Sequence, residues 1–329
     1  MATPTNPTAK STVSKDAAPS LPAVLAAFGA VYFIWGSTYL GIRFAIETIP
    51  PFIMAGLRFL SAGVVLFAVA RWQGAGRPAG SHWRSAAIIG VLLLVSGNGV
   101  LTWAEQYVAS GVAALIVATV PLWMVVIDAF APGGSRPGPA IILGLVLGLA
   151  GIAILIGPAE LGGAPVDLVG ALAICLASIS WAFGSIYSRS APQSPSTLQN
   201  VGMQMLIGGA LMLVGGYAFG ERLDPAAVSE RSAWALAYLS LFGGVVSYSA
   251  YVWLLKVSTP AKVATYAYVN PVVAVVLGWA LAGEELGPRV FLATAAVVGA
   301  VILLTLSRDR ASKTAAESSS KPVLDEGAA

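Results

Sequence analysis

Apolar residues occur in this sequence in long blocks of about 20, separated by short polar breaks. A helix of that length crosses about 30 Å of hydrocarbon, whereas the strands of a membrane barrel would alternate polar and apolar residues in shorter segments. Of the 329 residues, 57% are hydrophobic and only 10% are charged, against roughly 25% charged in soluble domains. The chain is therefore predicted to be an all-α polytopic membrane protein embedded in a lipid bilayer.

Ten such blocks are present, and each predicts one transmembrane helix. Helix breakers stand between the blocks, as in Pro50-Pro51, Gly287-Pro288 and the segment APGGSRPGP. The polar ends, 1–20 and 308–329, are predicted to be disordered tails. The ten predicted helices lie near residues 22–42, 51–71, 86–106, 110–130, 139–157, 166–188, 197–219, 232–255, 261–282 and 289–307.

The distribution of basic residues predicts the orientation. Ten helices place both termini on one side, and with the termini inside, thirteen of the eighteen Lys and Arg residues fall in the cytoplasm. Cytoplasmic loops carry this excess in membrane proteins, so both termini are predicted to be cytoplasmic. The mildly basic balance follows from this rule, so no nucleic-acid partner is expected.

The two halves of the sequence are related to each other. A shift of about 146 residues lays WGSTYLGIRFA (35–45) on WAFGSIYSRSA (181–191), and a shift of about 150 matches Trp103 with Trp253 and Pro121 with Pro271. Because each half has five helices, an odd number, the second half enters the membrane inverted. Inverted repeats are typical of secondary transporters that bind substrate near the midplane.

Four segments in order carry a family likeness: WGSTY in the first helix, PPFIMAGLRFLSAG in the second, ASGVAALIVATVPLW in the fourth and AKVATYAYVNPVVAVVLGWALAGEEL in the ninth. Together they resemble the ten-helix EamA-like exporters of the drug/metabolite transporter superfamily. The resemblance implies repeats at 21–158 and 164–307, a central cavity, and export of small metabolites, with amino acids or related compounds favoured, across a bacterial inner membrane. The family's Gly-Glu pair after the penultimate helix is present as Gly283-Glu284 but has no equivalent in the first half.

Polar residues inside the predicted helices are the candidates for substrate binding, because charged and polar groups are costly in lipid and usually face protein or a water-filled cavity. Tyr248 with Tyr251, and Tyr266 with Asn270, share helix faces, although Tyr and Trp also mark membrane interfaces. Asn98, between two glycines, predicts a locally loosened helix or a bond to a neighbouring helix. The candidates are Ser37, Thr38, Arg58, Asn98, Trp103, Gln204, Tyr248, Tyr251, Tyr266 and Asn270.

Among the charged residues in or near the helices, Arg58 and Glu105 have two interpretations each, and Arg43 has one. Arg58 either holds a substrate carboxylate or has a structural role, in which it caps helix carbonyls or pairs with an acid elsewhere. Glu105 is either a proton-coupling residue or an interfacial carboxylate at the outer mouth. Arg43 lies near a helix end and matches Arg189 of the repeat, so both are predicted to anchor helix ends rather than bind substrate.

Small residues at Gly144, Gly148 and Gly151 predict a close helix neighbour. The sequence leaves open whether this neighbour lies in the same chain or in a second copy, so a homodimer is one of the two arrangements.

Several function classes are excluded by the residue inventory. Cys175 is the only cysteine, and His82, placed in a polar loop, is the only histidine, so no metal site is expected. Neither a nucleotide-binding loop nor a GxSxG nucleophile is present, which argues against ATP drive and against an enzyme. The prediction is a secondary transporter without cofactor that works by alternating access and is coupled to protons. A passive exchanger or a channel is the alternative.

Overall fold

The computed structural model describes residues 20–130, 138–156, 166–258, 262–263 and 265–319, and this part of the chain forms ten apolar helices. Eight are long and apolar enough to cross a membrane, and α5 and α9 are shorter apolar helices. The helices are α1 (Leu21–Ala45), α2 (Pro51–Trp72), α3 (Gly80–Ala104), α4 (Ser110–Phe130), α5 (Pro139–Ile156), α6 (Leu168–Ser190), α7 (Thr197–Ala218), α8 (230–257), α9 (Tyr266–Ala282) and α10 (Pro288–Ser319).

Three helix ends differ from the prediction. One is the start of α9, which lies at Tyr266 and not near 261. α3 begins at Gly80 and not near 86, because the polar stretch GSHWR forms its first turn. His82 is therefore in a helix and not in a loop, and its Nδ1 accepts a hydrogen bond from the Ala79 N–H at 3.2 Å. At the other end of the chain, α10 continues past 307 to Ser319, so the segment predicted to be a disordered tail begins as helix. The predicted N-terminal tail up to residue 19 lies outside the described residues.

The predicted inverted repeat is confirmed by the way equivalent helices pair. α2 packs along α7, its counterpart in the second half, and glycines on both helices allow the backbones to approach. A Cβ on Gly63 would stand 2.8 Å from the Leu206 nitrogen, and one on Gly209 would stand 2.6 Å from the Leu60 nitrogen. The matched pair Gly63 and Gly209 thus lies at equivalent places in one helix pair.

α5 packs against α10, which is its counterpart. Gly144 faces Ala300 and Leu304, and Gly151 faces Val297. The close neighbour of this glycine stripe is therefore a helix of the same chain. The open choice between the same chain and a second copy is settled for these residues in favour of the same chain.

Three helices contain wider, π-helical turns: α1 at Ala30–Ile34, α3 at Gly90–Gly99 and α8 at Leu239–Val246. The segments in α3 and α8 occupy equivalent positions of the two repeats, and such turns often mark functional places in a helix. Each of these two segments contacts a tryptophan of the other half, and the repeat matches these two tryptophans, Trp35 and Trp181, with each other. Trp35 donates its indole N–H to the Gly243 carbonyl at 3.2 Å, and a Cβ on Gly97 would stand 3.0 Å from the Trp181 ring.

The helices alternate in direction, so the loops fall at two ends of the bundle. We call the end that carries 46–50, 105–109, 219–229 and 283–287 the distal end, since it lies opposite the first and last helix termini. The other end carries 73–79 and 191–196 and is called the terminal end. These names describe position in the bundle and are independent of which end faces the cytoplasm.

Candidate functional site

Trp35, on α1, is surrounded by three tyrosine rings from α8 and α9. Its ring centroid is 6.1 Å from that of Tyr248, 5.2 Å from Tyr251 and 5.3 Å from Tyr266. The rings are tilted or edge-to-face, the geometries that aromatic quadrupoles favour. We call these four residues the aromatic cluster. It joins the first helix of one half to the third and fourth helices of the other, so the predicted Tyr248, Tyr251 and Tyr266 do lie together.

Arg58 lies beside this cluster on α2. A methyl group at Gly243, the residue that accepts the Trp35 hydrogen bond, would stand 3.5 Å from Arg58 Nη2 and 3.1 Å from the Thr38 methyl carbon. The guanidinium is 4.7 Å from the Phe59 ring centroid, and the side chain is 6% exposed. Its Nε and Nη1 are buried without a hydrogen-bond partner among the described residues. Two strong donors at the junction of the halves are thus available to a ligand.

The smaller polar candidates are held by neighbouring helices or by their own backbone. Ser37 Oγ donates to the Ile34 carbonyl at 2.8 Å and lies 2.6 Å from the Tyr238 hydroxyl. Thr38 Oγ1 donates to the Trp35 carbonyl at 2.6 Å. The Asn270 amide nitrogen, with the amide turned to satisfy its surroundings, donates to the Tyr32 carbonyl at 3.1 Å. These bonds fix α1 against α8 and α9.

Glu105 follows α3 at the distal end and is 0% exposed, so it is not an interfacial carboxylate at an open mouth. Among the described residues, neither carboxylate oxygen has a hydrogen-bond partner, and the buried Thr102 hydroxyl one turn earlier has none either. Burial raises the pKa of Glu105 well above its usual range, and the Glu284 carboxylate adds to the rise, whereas Arg58 and Arg43 act in the opposite direction. An unpaired buried carboxylate is costly, which makes this position a candidate for function.

Arg58, Glu105 and Tyr39 interact electrostatically with one another. Arg58 and Glu105 do not form an ion pair within the parts of the chain that the structure describes, although each carries unpaired buried atoms. Arg43 is exposed and its Nη1 donates to the backbone carbonyl of Glu105 at 3.0 Å. The predicted role of Arg43 as an anchor of helix ends agrees with this contact.

Three candidates lie away from the aromatic cluster. The Asn98 amide donates to the Leu93 carbonyl of its own helix at 3.4 Å, within the π-helical turn, so the predicted loosening of α3 is present. Trp103 stacks edge-on against Tyr107 with centroids 5.2 Å apart. Gln204 lies on α7 where that helix meets Gly90 of α3.

Two units related by inversion, with a binding site at the interface between them, are an arrangement seen in many secondary transporters. The profile of the EamA-like transporter family matches this chain twice, at residues 21–157 and 168–306. The chain belongs to the EamA-like transporter family.

Relatives of this EamA-like protein include two with transporter names. Over 280 residues it is 42% identical to the "Uncharacterized inner membrane transporter YedA" of Escherichia coli, covering 85% of this chain and 89% of that one. It is 24% identical to the "Uncharacterized transporter YoaV" of Bacillus subtilis, covering 85% and 96%, and 26% identical to "Protein PecM" of Dickeya dadantii, covering 80% and 88%. The family and the names of these relatives accordingly indicate a multi-pass inner-membrane transporter.

A solved crystal structure shares the fold of this EamA-like protein. The two superpose with a TM-score of 0.60 at 22% sequence identity, over 88% of this chain and 99% of that one. Among the described residues of our chain, no group of three His, Cys, Asp or Glu side chains is placed to hold a metal ion.

Sequence reasoning missed four residues of this EamA-like site. Trp35 was used only to align the repeats, yet it is the central ring of the aromatic cluster. Tyr39 lies one helical turn after Trp35, and Thr102 lies one turn before Glu105. Residues one turn apart share a helix face, so this spacing in the sequence indicates that each lies beside another residue of the site. Glu221, described below, lies in a Gly-Glu pair like that of Gly283-Glu284, and this repetition was readable in the sequence.

Proposed function

We propose that this transporter exports zwitterionic amino acids or closely related metabolites by alternating access, in exchange for protons. The observation that carries the proposal is that two buried ionisable side chains at the junction of the halves, Arg58 and Glu105, each have atoms with no hydrogen-bond partner among the residues that the structure describes. A guanidinium binds a carboxylate through two parallel hydrogen bonds, and a carboxylate binds an ammonium group. The Arg58 and Glu105 side chains therefore suit the two charged ends of one amino acid, with the aromatic cluster beside them.

Proton exchange follows from competition for Glu105. A protonated Glu105 is neutral and no longer attracts an ammonium group, so proton binding weakens substrate binding, and substrate binding weakens proton binding. Because burial raises the pKa of Glu105, this competition takes place at a higher pH than it would at an exposed carboxylate. Substrate and proton then bind in alternation, which is the requirement for antiport.

The orientation proposed from the basic residues completes the cycle. With both termini in the cytoplasm, the distal end faces the periplasm. Glu105 takes up a proton from the periplasmic side as the substrate leaves, and gives it up at the cytoplasmic side as the next substrate binds.

The test begins with a thermal-shift screen of the purified protein against the standard amino acids, their decarboxylated amines and simple carboxylates. A ligand at 100 times its Kd stabilises the folded state by about 2.7 kcal/mol. We expect amino acids to stabilise more than either half-ligand. Equal stabilisation by amines that lack the carboxylate would contradict the role of Arg58, as would unchanged binding of carboxylate ligands in Arg58→Gln.

Transport in proteoliposomes then tests coupling with the best ligand of the screen. We expect saturable flux and counterflow, and a substrate Kd that rises as the pH falls through the pKa of Glu105. Glu105→Gln should retain counterflow, lose the pH dependence of Kd and lose the response to a pH gradient. Asp128→Asn, at a half-buried carboxylate near the terminal end of α4, is the matched control and should change neither. Flux that grows linearly with concentration, without counterflow, would instead support a channel.

A further inference from the structure

The Glu284 carboxylate is bound to the first turn of α4. Its Oε1 accepts hydrogen bonds from the Ser110 N–H at 2.7 Å and from the Ser110 hydroxyl at 2.6 Å, and its Oε2 accepts one from the Gly111 N–H at 2.9 Å. Glu284 follows α9, so one half of the transporter caps a helix of the other half at the distal end. Bonds from N–H groups to a carboxylate are stronger than neutral ones, and the helix dipole adds to them.

The chain after α9 is built to hold this carboxylate. Gly283 has φ of 67°, and its left-handed conformation lets the Glu284 N–H donate to the Gly278 carbonyl at 3.1 Å. A Cβ on Gly278 would stand 2.3 Å from Glu284 Oε2, and one on Gly111 would stand 3.2 Å from the same atom. Glycines on both helices therefore leave the space that the carboxylate fills.

Glu221 repeats this arrangement at the end of α7. Its Oε1 accepts from the Phe52 N–H at 3.1 Å and its Oε2 from the Ile53 N–H at 2.9 Å, which caps α2. Gly220 has φ of 93°, and the Glu221 N–H donates to the Gly216 carbonyl at 2.9 Å. A Cβ on Gly216 would stand 2.8 Å from Glu221 Oε2. In both cases a second-half helix caps its own inverted counterpart.

The two capped helix pairs, α2–α7 and α4–α9, differ in how they pack toward the terminal end. α2 and α7 stay in contact toward the terminal end, where a Cβ on Gly202 would stand 2.7 Å from the Phe67 nitrogen. α9, in contrast, packs on the first part of α4, Ser110–Val117. Farther on, Val120–Phe130 packs mainly against α6. The start of α9 contacts α1, since the Tyr266 and Trp35 ring centroids are 5.3 Å apart. The α4–α9 pair therefore diverges toward the terminal end.

We infer that Glu284 is a latch that holds the α4–α9 pair closed at the distal end and has to release for that end to open, whereas Glu221 is a permanent staple between α2 and α7. When two helices are in contact along their whole length, release of the cap at one end does not allow them to separate. A pair joined mainly at one end can close at the other end when the cap breaks. The inference rests on alternating access in the proposed function, and it adds the residue that controls which end is open.

The test measures opening at the distal end without any substrate. In a Cys175→Ser background, Val275→Cys reports on the α4–α9 pair, because Val275 is 8% exposed and packs against Gly111. Met212→Cys, 1% exposed on α7 and part of the packed core with α2, reports on the other pair. The probe is a membrane-impermeant cationic methanethiosulfonate added from the distal side, and the readout is the labelling rate.

Glu284→Gln should raise the labelling rate at Val275→Cys about tenfold, since a neutral amide loses the charge-assisted bonds. Glu221→Gln should leave that rate, and the rate at Met212→Cys, within about twofold. Glu47→Gln removes an exposed ion pair that also joins the halves at this end, so it controls for a general effect of charge removal and should change neither rate.

Two outcomes would overturn the inference. One is an unchanged rate at Val275→Cys in both Glu284→Gln and Glu284→Ala. The other is an equal rise for the Glu221 and Glu284 variants. If Glu284 variants fail to fold, Ser110→Ala removes one of the three bonds and keeps the carboxylate, and a rise of a few fold is then expected, with no change counting against the latch. Failure of the amino-acid proposal leaves these rates as they are, so the two failures are distinguishable.

Discussion

Glu221 and Glu284 lie at the same end of the bundle, follow left-handed glycines and bind the N-termini of α2 and α4 through near-identical contacts. What differs is the packing beyond them, since α2 and α7 remain in contact toward the terminal end while α4 and α9 separate. The same local chemistry therefore serves a fixed joint in one place and a releasable one in the other. Whether a strong contact is structural or functional depends on what its partners can do when it breaks.

Replacing the glycine beside each carboxylate with alanine should have the largest effect on the free energy of unfolding, and it tests whether the two caps are equally tight. In Gly278→Ala the new methyl group would stand 2.3 Å from Glu284 Oε2 and 2.7 Å from Cδ, so the carboxylate has to leave and both N–H groups lose their partner. We expect a loss of about 3 kcal/mol in the free energy of unfolding, measured in mixed detergent micelles. Gly216→Ala, with one contact at 2.8 Å to Oε2, is the matched variant and should cost less; an equal or larger cost there would count against the tighter fit at Gly278.

Removing the carboxylates should cost similar stability at the two places. Glu284→Ala and Glu221→Ala each leave two helix N–H groups unpaired, and hydrogen bonds to charged groups contribute about 1.5 to 3 kcal/mol. We therefore expect losses of about 2 kcal/mol for Glu221→Ala and about 3 kcal/mol for Glu284→Ala, which also removes the bond to the Ser110 hydroxyl, but faster labelling of Val275→Cys for Glu284→Ala alone. A much larger stability loss for Glu284→Ala than for Glu221→Ala, together with equal labelling rates in the two variants, would show that strength of binding, and not divergence of the helices, sets the two roles apart.

Ser110 distinguishes the two caps by one bond. Its hydroxyl donates to Glu284 Oε1 at 2.6 Å, and the equivalent place at Glu221 is occupied by Phe52, which has no hydroxyl. Ser110→Ala should cost about 1 kcal/mol of unfolding free energy and make the Glu284 contact resemble the Glu221 contact. Ser110→Thr keeps the hydroxyl and serves as the control; a full effect of Ser110→Ala on stability with the same effect of Ser110→Thr would point to packing instead.

The exposed ion pair between Arg231 and Glu47 should contribute least. The two atoms are 3.2 Å apart, and the side chains are 52% and 38% exposed. Exposed ion pairs contribute about 0 to 1 kcal/mol and are screened by salt. Glu47→Gln should therefore change the melting temperature by no more than the scatter between preparations. A loss as large as that of Glu221→Ala would mean that this pair, and not the two caps, holds the distal end.

Much of the fold was predictable because lipid imposes strong rules on sequence. Ten apolar blocks, the breakers between them and the matched segments around Trp35 and Trp181 are sufficient for ten helices and an inverted repeat. The start of α3 was misplaced because GSHWR is polar, and hydropathy measures what crosses lipid while helices extend beyond it. The glycine stripe of α5 predicted a close neighbour, but only the folded chain identifies that neighbour as α10.

The candidate site was predictable in part. Arg58 and the tyrosines of α8 and α9 stood out because polar residues are rare inside such helices, and three of those tyrosines do meet around Trp35. Trp103 and Gln204 met the same criterion and lie elsewhere. Residue type and depth select candidates, but rotation of each helix about its axis decides which side chains meet.

By itself the sequence determined that this chain spans a membrane as two inverted sets of five helices, because apolar length, helix breakers and internal repetition are properties of the chain read in order. Only the tertiary structure decided that the Glu105 carboxylate is buried with no hydrogen-bond partner in the part of the chain that the structure describes, while Glu221 and Glu284 bind the ends of helices some 170 residues away. The reason is physical. Whether a segment lies in lipid depends on the hydropathy of that segment alone, so it can be read along the sequence. The pairing of a carboxylate with a distant helix end depends on three-dimensional packing that no local pattern specifies.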